Sequence, residues 1–267
     1  LKNKMFKDKK LCICIPAGRK RYMEILIKYL LRDVSKINEI RIWVNTTNTE
    51  DLEYIESLPK MNSIFILDYS ANGDVNIGSS TAISLFFRNC CDEDTIYLRL
   101  DDDIVYLEDG FIEEIIKFRI DNPSYFLVLG NIVNNAVCDY HHKQSGALKT
   151  NYNLNCNCLC DLGWRNEQLA FEKHNCFFEN LENNNINQYK FENIKYSDRF
   201  SINAISWLGS EFKKFNGSVE YGNEEVWLTQ SRNNIIFGKK ICCHYSFWIT
   251  RDFLSKTNVL EKYGKLI

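Results

Sequence analysis

Proline and glycine are scarce, with three prolines and twelve glycines in 267 residues. That excludes a collagen-like or Pro/Gly-rich low-complexity chain. No apolar run approaches the 18 or more residues of a membrane span. Neither charge sign is in large excess: 33 Lys and Arg face 35 Asp and Glu, a net of −2, which argues against a protein that coats nucleic acid. The leader LKNKMFKDKK is basic, but the apolar stretch after it is too short for a signal-peptide core. It reads as a solvated tail, with a weak peripheral contact to anionic lipid as the second reading. A soluble globular chain is the expectation, long enough to bury roughly three-quarters of its unfolded surface without staples.

Cysteine is abundant at eleven, an odd number. Cys12 and Cys14 lie inside a strand-like run, and Cys90–Cys91 and Cys242–Cys243 are adjacent pairs, all poorly suited to bridges. They read as reduced thiols of a cytoplasmic-type compartment, acting as small buried hydrophobes. Cys156, Cys158 and Cys160, followed by His174 and Cys176, raise a zinc site, but C-x-C-x-C is not the usual ligand spacing of one.

The first half alternates strand and helix patterns. Leu11–Ile15, Glu39–Val44, Ser63–Leu67 and Thr95–Leu100 read as strands. Helical spacing fills 19–32, 50–58 (stopped by Pro59) and 79–88. Strands separated by helices imply an α/β fold with a mostly parallel sheet covered on both faces. Ligands of such sheets bind beyond the carboxyl ends of the strands, here Pro16–Arg19, Asn45–Thr47, Asp68 and Asp101–Asp103. Further on, 110–120 reads as a helix and Phe126–Val133 as a strand, and 134–197 dissolves into an Asn-rich irregular stretch. Phe200–Ser206 and Ile241–Phe247 look like late strands, with helices at 224–231 and 251–263. No repeat or composition break marks a linker, so one domain over 1–267 is the simplest organisation.

Three consecutive carboxylates at a strand end need a physical reason, since neighbouring anions resist ionising together. Strand alternation would put Asp101 and Asp103 on one side and Asp102 on the other. The paired side suits a hard cation such as Mg²⁺ or Mn²⁺. A solvated acidic turn is the plainer reading, weakened by the apolar flanks Ile96, Leu98, Leu100 and Ile104, Val105, Leu107. An EF-hand starting at Asp92 fails, because Tyr97 stands where its loop needs glycine.

The D-x-D of Asp101 and Asp103 within TIYLRLDDDIVYL resembles that of GT-A glycosyltransferases. The similarity extends to CIPAGRKRYMEILIKYL, RIWVNTTNTEDLEYI, YGNEEVWLTQ and CCHYSFW, and leaves 134–197 unmatched. It implies a GT-A-like, Rossmann-type sheet whose first part (about 1–107) binds the nucleotide sugar and whose irregular second part (about 108–267) binds the acceptor. It implies Asp103, with Asp101, holding Mn²⁺ or Mg²⁺ on the donor diphosphate. Asp102 or Asp101 would lie nearest the ribose, and His244 would be a further ligand. Glu224 and Glu225 compare with the acid pair of inverting enzymes, which makes Glu225 the base and Glu224 its support. Asn223 as an N-cap, with acids favouring the helix dipole, is the structural alternative. Pro16, Ala17, Gly18 and Arg19, with Asn45 and Thr46, would form the donor pocket. The implied partners are a nucleoside-diphosphate sugar, with UDP as the nucleotide, and a glycan or other hydroxyl acceptor. His141 and His142 are loop residues or acceptor contacts. Gly78, Ser79 and Ser80 read first as a helix cap. Trp164, Trp207, Trp227 and Trp248 are core residues or sugar platforms.

Asp101, Asp103 and Val105 also satisfy the D-x-D-x-[T/V] of haloacid-dehalogenase-type phosphohydrolases, although that motif normally ends the first strand of its domain. A nucleotidyltransferase on the same sheet and a non-catalytic nucleotide-sugar-binding module complete the alternatives.

Overall fold

The computed structural model describes residues 6, 8–73 and 76–267, so most of the Lys-rich leader lies outside the described residues. The apolar run after it forms β1 (Lys10–Ala17), buried from Leu11 onward. There follow α1 (Lys20–Arg32), β2 (Glu39–Val44), α2 (Thr49–Met61), β3 (Phe65–Asp68), a short turn of helix α3 (Ile83–Phe86) and β4 (Thr95–Leu100). Pro59 does not stop α2. It sits in the last turn, where it removes a single hydrogen bond, while the buried Ile55 and Leu58 keep the helix on the sheet.

A strand that the sequence pattern did not separate, β5 (Ile104–Leu107), follows the aspartates, then α4 (Phe111–Asp121) and β6 (Val128–Val133). The Asn-rich stretch is largely structured. It holds α5 (Ala136–Gln144), α6 (Asp161–Arg165), α7 (Glu167–Glu182) and β7 (Ile194–Tyr196). Its asparagines act as helix starts: the Asn135 side chain accepts from Val137 and Cys138 N–H, and that of Asn166 from Leu169 N–H. The chain ends with β8 (Ala204–Leu208), α8 (Gly209–Lys213), α9 (Glu224–Thr229), β9 (Asn234–His244), α10 (Arg251–Leu254) and α11 (Val259–Gly264).

Among the described residues the strands form one nine-stranded sheet flanked by helices, in the order β3-β2-β1-β4-β8-β6-β9-β5, with β7 on β9. β3, β2, β1 and β4 run parallel, as does β6 beside β9, and the remaining pairs are antiparallel. The main apolar core extends from Phe6 to Tyr263. The connection after β1 runs to β2 on one side, and β4 returns to β1 on the other. The carboxyl ends of β1 and β4 therefore flank a topological switch point, where open α/β sheets hold ligands. Antiparallel β5 and β9 pair Ile104 with His244, which carries the last strand of the chain to the same edge. No helix among the described residues is long and apolar enough to cross a membrane.

Candidate active site

β4 ends at Leu100, so the aspartates form a turn, closed by Ile104 N–H donating to Asp101 O (3.0 Å). Strand alternation does not apply to a turn, and the expected pairing of Asp101 with Asp103 is replaced by a different one. Asp102 and Asp103 share Arg19. Its Nε lies 3.0 Å from Asp102 Oδ1, its Nη2 also binds Asp102, and its Nη1 is 3.0 Å from Asp103 Oδ2. Gly18 N–H donates to Asp102 Oδ2 at 3.0 Å. A Cβ on Gly18 would come within 3.0 Å of Asn45 O, so a residue without one suits this close approach of β1 and β2. Asp101 turns away: its Oδ1 accepts from Arg99 Nη2 (2.7 Å) and its Oδ2 from Asn203 Nδ2 (2.9 Å). Both Asp101 oxygens thus already accept a hydrogen bond, whereas Asp103 Oδ1 accepts none among the described residues. The acid cluster is thus answered first by guanidinium groups.

Asp103 and His244 are both buried, and Asp103 Oδ1 faces His244 Nε2 at 3.4 Å. The backbone clamps the pair, since Tyr245 N–H donates to Asp103 O at 2.9 Å. The other ring nitrogen, Nδ1, lies 3.2 Å from Asn134 O. A carbonyl only accepts, so Nδ1 carries the hydrogen and a neutral ring aims its Nε2 lone pair at the carboxylate. Two lone pairs facing each other call for a positive occupant, a proton or a metal ion. Burial acts to lower the His244 pKa, but the Asp103 carboxylate outweighs it and the net shift is upward. Burial raises the Asp103 carboxyl, yet Arg19 and His244 together hold it well below the usual carboxylate range. One carboxylate oxygen and one imidazole nitrogen suit Mn²⁺ or Mg²⁺ in donor type. No cluster of three or more such side chains exists among the described residues, so the chain offers a cation these two side chains, both buried and neither in the wall of the adjoining cavities.

Pro16, Ala17, Gly18, Arg19, Asn45, Thr46, Asp101 and Asp102 line one cavity of about 450 Å³. Gly78, Ser79, Ser80, Ile83, Arg99, Trp248 and Arg251 complete its wall. The Asn45 side chain is already engaged, accepting from Gly78 N–H (2.8 Å) and donating to Ser79 O (2.9 Å). It ties the 78–79 turn to β2 and shapes the wall. Ser79 and Ser80 belong to that wall, and Ser79, which stands at the N-cap, makes no side-chain cap bond. Arg99 is 3% exposed, and its Nε and Nη1 find no partner among the described residues, nor does Nε of Arg251. Such buried donors are costly unless an acceptor arrives.

A second cavity, about 360 Å³, shares Ser80 and Trp248 with the first and contains Glu224 and Glu225. Glu225 Oε1 is 2.5 Å from Arg199 Nε and 3.7 Å from Cys158 Sγ. Burial, reinforced by Glu225, pushes the Cys158 thiol up to about 12, so it stays protonated. Glu224 differs: burial raises its carboxyl pKa against the pull of Arg99, and Glu225 and Asp101 raise it further. Asn223 makes no cap bond to α9 and instead donates to Glu220. Trp248 is 70% exposed at the seam of the two cavities, and Trp164 and Phe247 line the second, whereas Trp207 is core. His141 and His142 line neither cavity. His142 is buried on Asn131 (2.7 Å), and His141 lies 3.6 Å from Cys156. Cys156 lies against His141 and Cys158 against Ser201, and all eleven cysteines are free thiols.

No family model matches the chain, and no curated protein matches it. Among the solved structures similar to it are two synthases. The 4-diphosphocytidyl-2C-methyl-D-erythritol synthase of Anaerococcus prevotii shares 10% identity over 97% of this chain and 99% of that one, with a TM-score of 0.49. Glucosyl-3-phosphoglycerate synthase of Mycobacterium tuberculosis, solved with Mn²⁺, UDP and phosphoglyceric acid, shares 14% identity over 55% of this chain and 52% of that one, with a TM-score of 0.39.

Proposed function

We propose that the chain transfers a sugar from a nucleoside diphosphate to an acceptor hydroxyl, with inversion and with a divalent cation beside Asp103 and His244. The observation that carries this reading is the junction of two cavities at Trp248 and Ser80. One cavity presents guanidinium groups and polar backbone at a switch point, and the other presents a carboxylate pair. The first suits an elongated anion such as a nucleoside diphosphate, with Arg19, Arg99 and Arg251 as counter-charges. Asp103 and His244 would hold the cation, which when bound supplies charge neutralisation to the departing diphosphate.

Glu224, rather than Glu225, is assigned as the base. Glu225 is already engaged by a guanidinium, with Arg199 Nε 2.5 Å from its Oε1. Glu224 has its basicity raised by burial. It takes the acceptor's O–H proton as that oxygen attacks the anomeric carbon. The bond from that carbon to the diphosphate oxygen breaks with its electron pair going to the phosphate. Glu225 and Arg199 brace the wall behind it. The phosphohydrolase alternative would make Asp101 the nucleophile, and here its two oxygens accept from Arg99 and Asn203.

The exposed Trp248 offers an apolar face beside the carboxylates, the environment of a sugar ring with its hydroxyl edge toward acid groups. Trp248→Ala is expected to raise the KM for a sugar acceptor about tenfold, the loss of roughly 1.4 kcal/mol of contact, with little change in the KM for the donor. Initial-rate kinetics with each substrate varied in turn checks this. The function itself is tested by thermal shift with nucleoside diphosphates and their sugars, with and without Mn²⁺. A ligand held at 100 times its Kd stabilises by about 2.7 kcal/mol. No shift with any nucleotide in either condition would remove the proposal.

A further inference from the structure

We infer that Asn134 and the buried Lys173–Asp139 pair are positioning residues that hold the His244 imidazole with Nδ1 protonated and Nε2 turned to Asp103. This rests on the reading of Asp103 and His244 as a cation site and adds the residues that would preset it.

Lys173 and Asp139 are each 1% exposed and line neither cavity. Burying an ion pair costs desolvation that the pair's own attraction often does not recover, so its place in the fold needs a reason. Lys173 Nζ makes three contacts: Asp139 Oδ2 at 2.7 Å, Gly163 O at 2.5 Å and Asn134 Oδ1 at 3.2 Å. Asp139 Oδ1 accepts from Asn134 N–H at 3.1 Å. The ion pair therefore grips Asn134 by its side chain and its backbone together.

Asn134 follows β6 with φ of +66°, a left-handed conformation that asparagine tolerates better than most residues with a Cβ. In that pose its other polar groups address the end of β9. Nδ2 donates to His244 O (3.2 Å) and Tyr245 O (3.1 Å), and its carbonyl accepts from His244 Nδ1 (3.2 Å). The chain of contacts thus runs from α7 and α5 through one asparagine to the ring that faces Asp103. A carbonyl fixed in that place selects one tautomer of the neutral ring, as the outer partners of metal-ligating histidines do. Phe247, with its ring centroid 4.8 Å from that of His244 at an interplanar angle of 74°, limits rotation but selects no tautomer.

The test uses the full chain and two variants. Asn134→Gly keeps the left-handed backbone accessible and removes every side-chain bond. Asn134→Asp keeps an acceptor for Lys173 and loses both Nδ2 donors, so it remains usable should the glycine variant fail to fold. Nitrogen-15 spectra of the four histidines in metal-free protein, taken at a pH high enough that the His244 ring is neutral and with His244 assigned by a His244→Gln control, report the tautomer. The wild type is expected to show His244 protonated at Nδ1, and both variants to show a mixture. Mn²⁺ affinity in the presence of UDP, read from the spin-resonance signal of free Mn²⁺, is expected to fall roughly 10–100-fold in the variants, with metal-free UDP affinity unchanged. Variants that lose thermal stability but keep the wild-type tautomer and Mn²⁺ affinity within twofold would overturn the inference and leave a purely structural role. A wild type that takes up no Mn²⁺ with UDP would defeat the functional reading instead, while the tautomer comparison would still decide the role of Asn134.

Discussion

Glu224→Gln is expected to cut kcat by roughly 10²–10⁴-fold, the usual contribution of a positioned general base, while nucleotide-sugar binding stays intact. The glutamine fills the same space beside Arg99 and Asp101 but cannot take a proton. Burial lifts the Glu224 carboxyl pKa, with Arg99 opposing it, so the acid limb of kcat against pH should lie above the ordinary glutamate range and vanish in the variant. The sign for stability is opposite to that for activity. A carboxyl whose pKa is higher folded than unfolded weakens the fold at pH values above both, where its charge is present. Glu224→Gln should therefore melt at the same or a higher temperature near neutral pH. Glu225→Gln, which frees Arg199, should act mainly on acceptor KM. If Glu225→Gln abolishes turnover and Glu224→Gln does not, the assignment of the base is reversed.

Asp103→Asn is expected to lower turnover by at least about 10³-fold, several kcal/mol of leaving-group stabilisation. Wild-type activity should likewise be lost in EDTA and restored by Mn²⁺. Near-normal rates in EDTA would end the metal-assisted reading. The same variant should unfold more easily at neutral pH, because Asp103 is a counter-charge of Arg19. Its carboxyl is held low in the folded chain, so its stabilisation is present above the unfolded aspartate pKa near 3.9 and is lost as the pH falls through the folded value. The gap in melting temperature between wild type and Asp103→Asn should therefore narrow on acidification, which calorimetry across pH would show.

The parallel strands were legible because each is a short apolar run bounded by turn residues, and β1, β2 and β4 fall where that pattern puts them. The residues around the first cavity were legible for the same reason, since strand ends of such a sheet converge. The partners of the aspartates were less so. Arg99 is a lone cation in the apolar run TIYLRL, two residues before the triplet, and that spacing was a usable signal. Arg251 and Trp248 come to the cavity from beyond the last strand, which no local pattern announces. The helices of 134–197 escaped because their apolar face is interrupted by buried polar groups: α7 buries Lys173, His174 and Asn180, so the 3.6-residue hydrophobic rhythm is blurred. Its asparagines, read as loop composition, are partly the caps that start the helices.

The pairing of Ile104 with His244 has a consequence during synthesis. The ribosome releases the chain from its amino end, so β5 is made well over a hundred residues ahead of the end of β9 that it pairs with. A nascent chain that stops short of β9 carries Asp103 and Arg19 but still lacks the His244 imidazole. On the proposed function, cation-supported nucleotide capture would belong only to chains whose β9 has emerged and docked on β5.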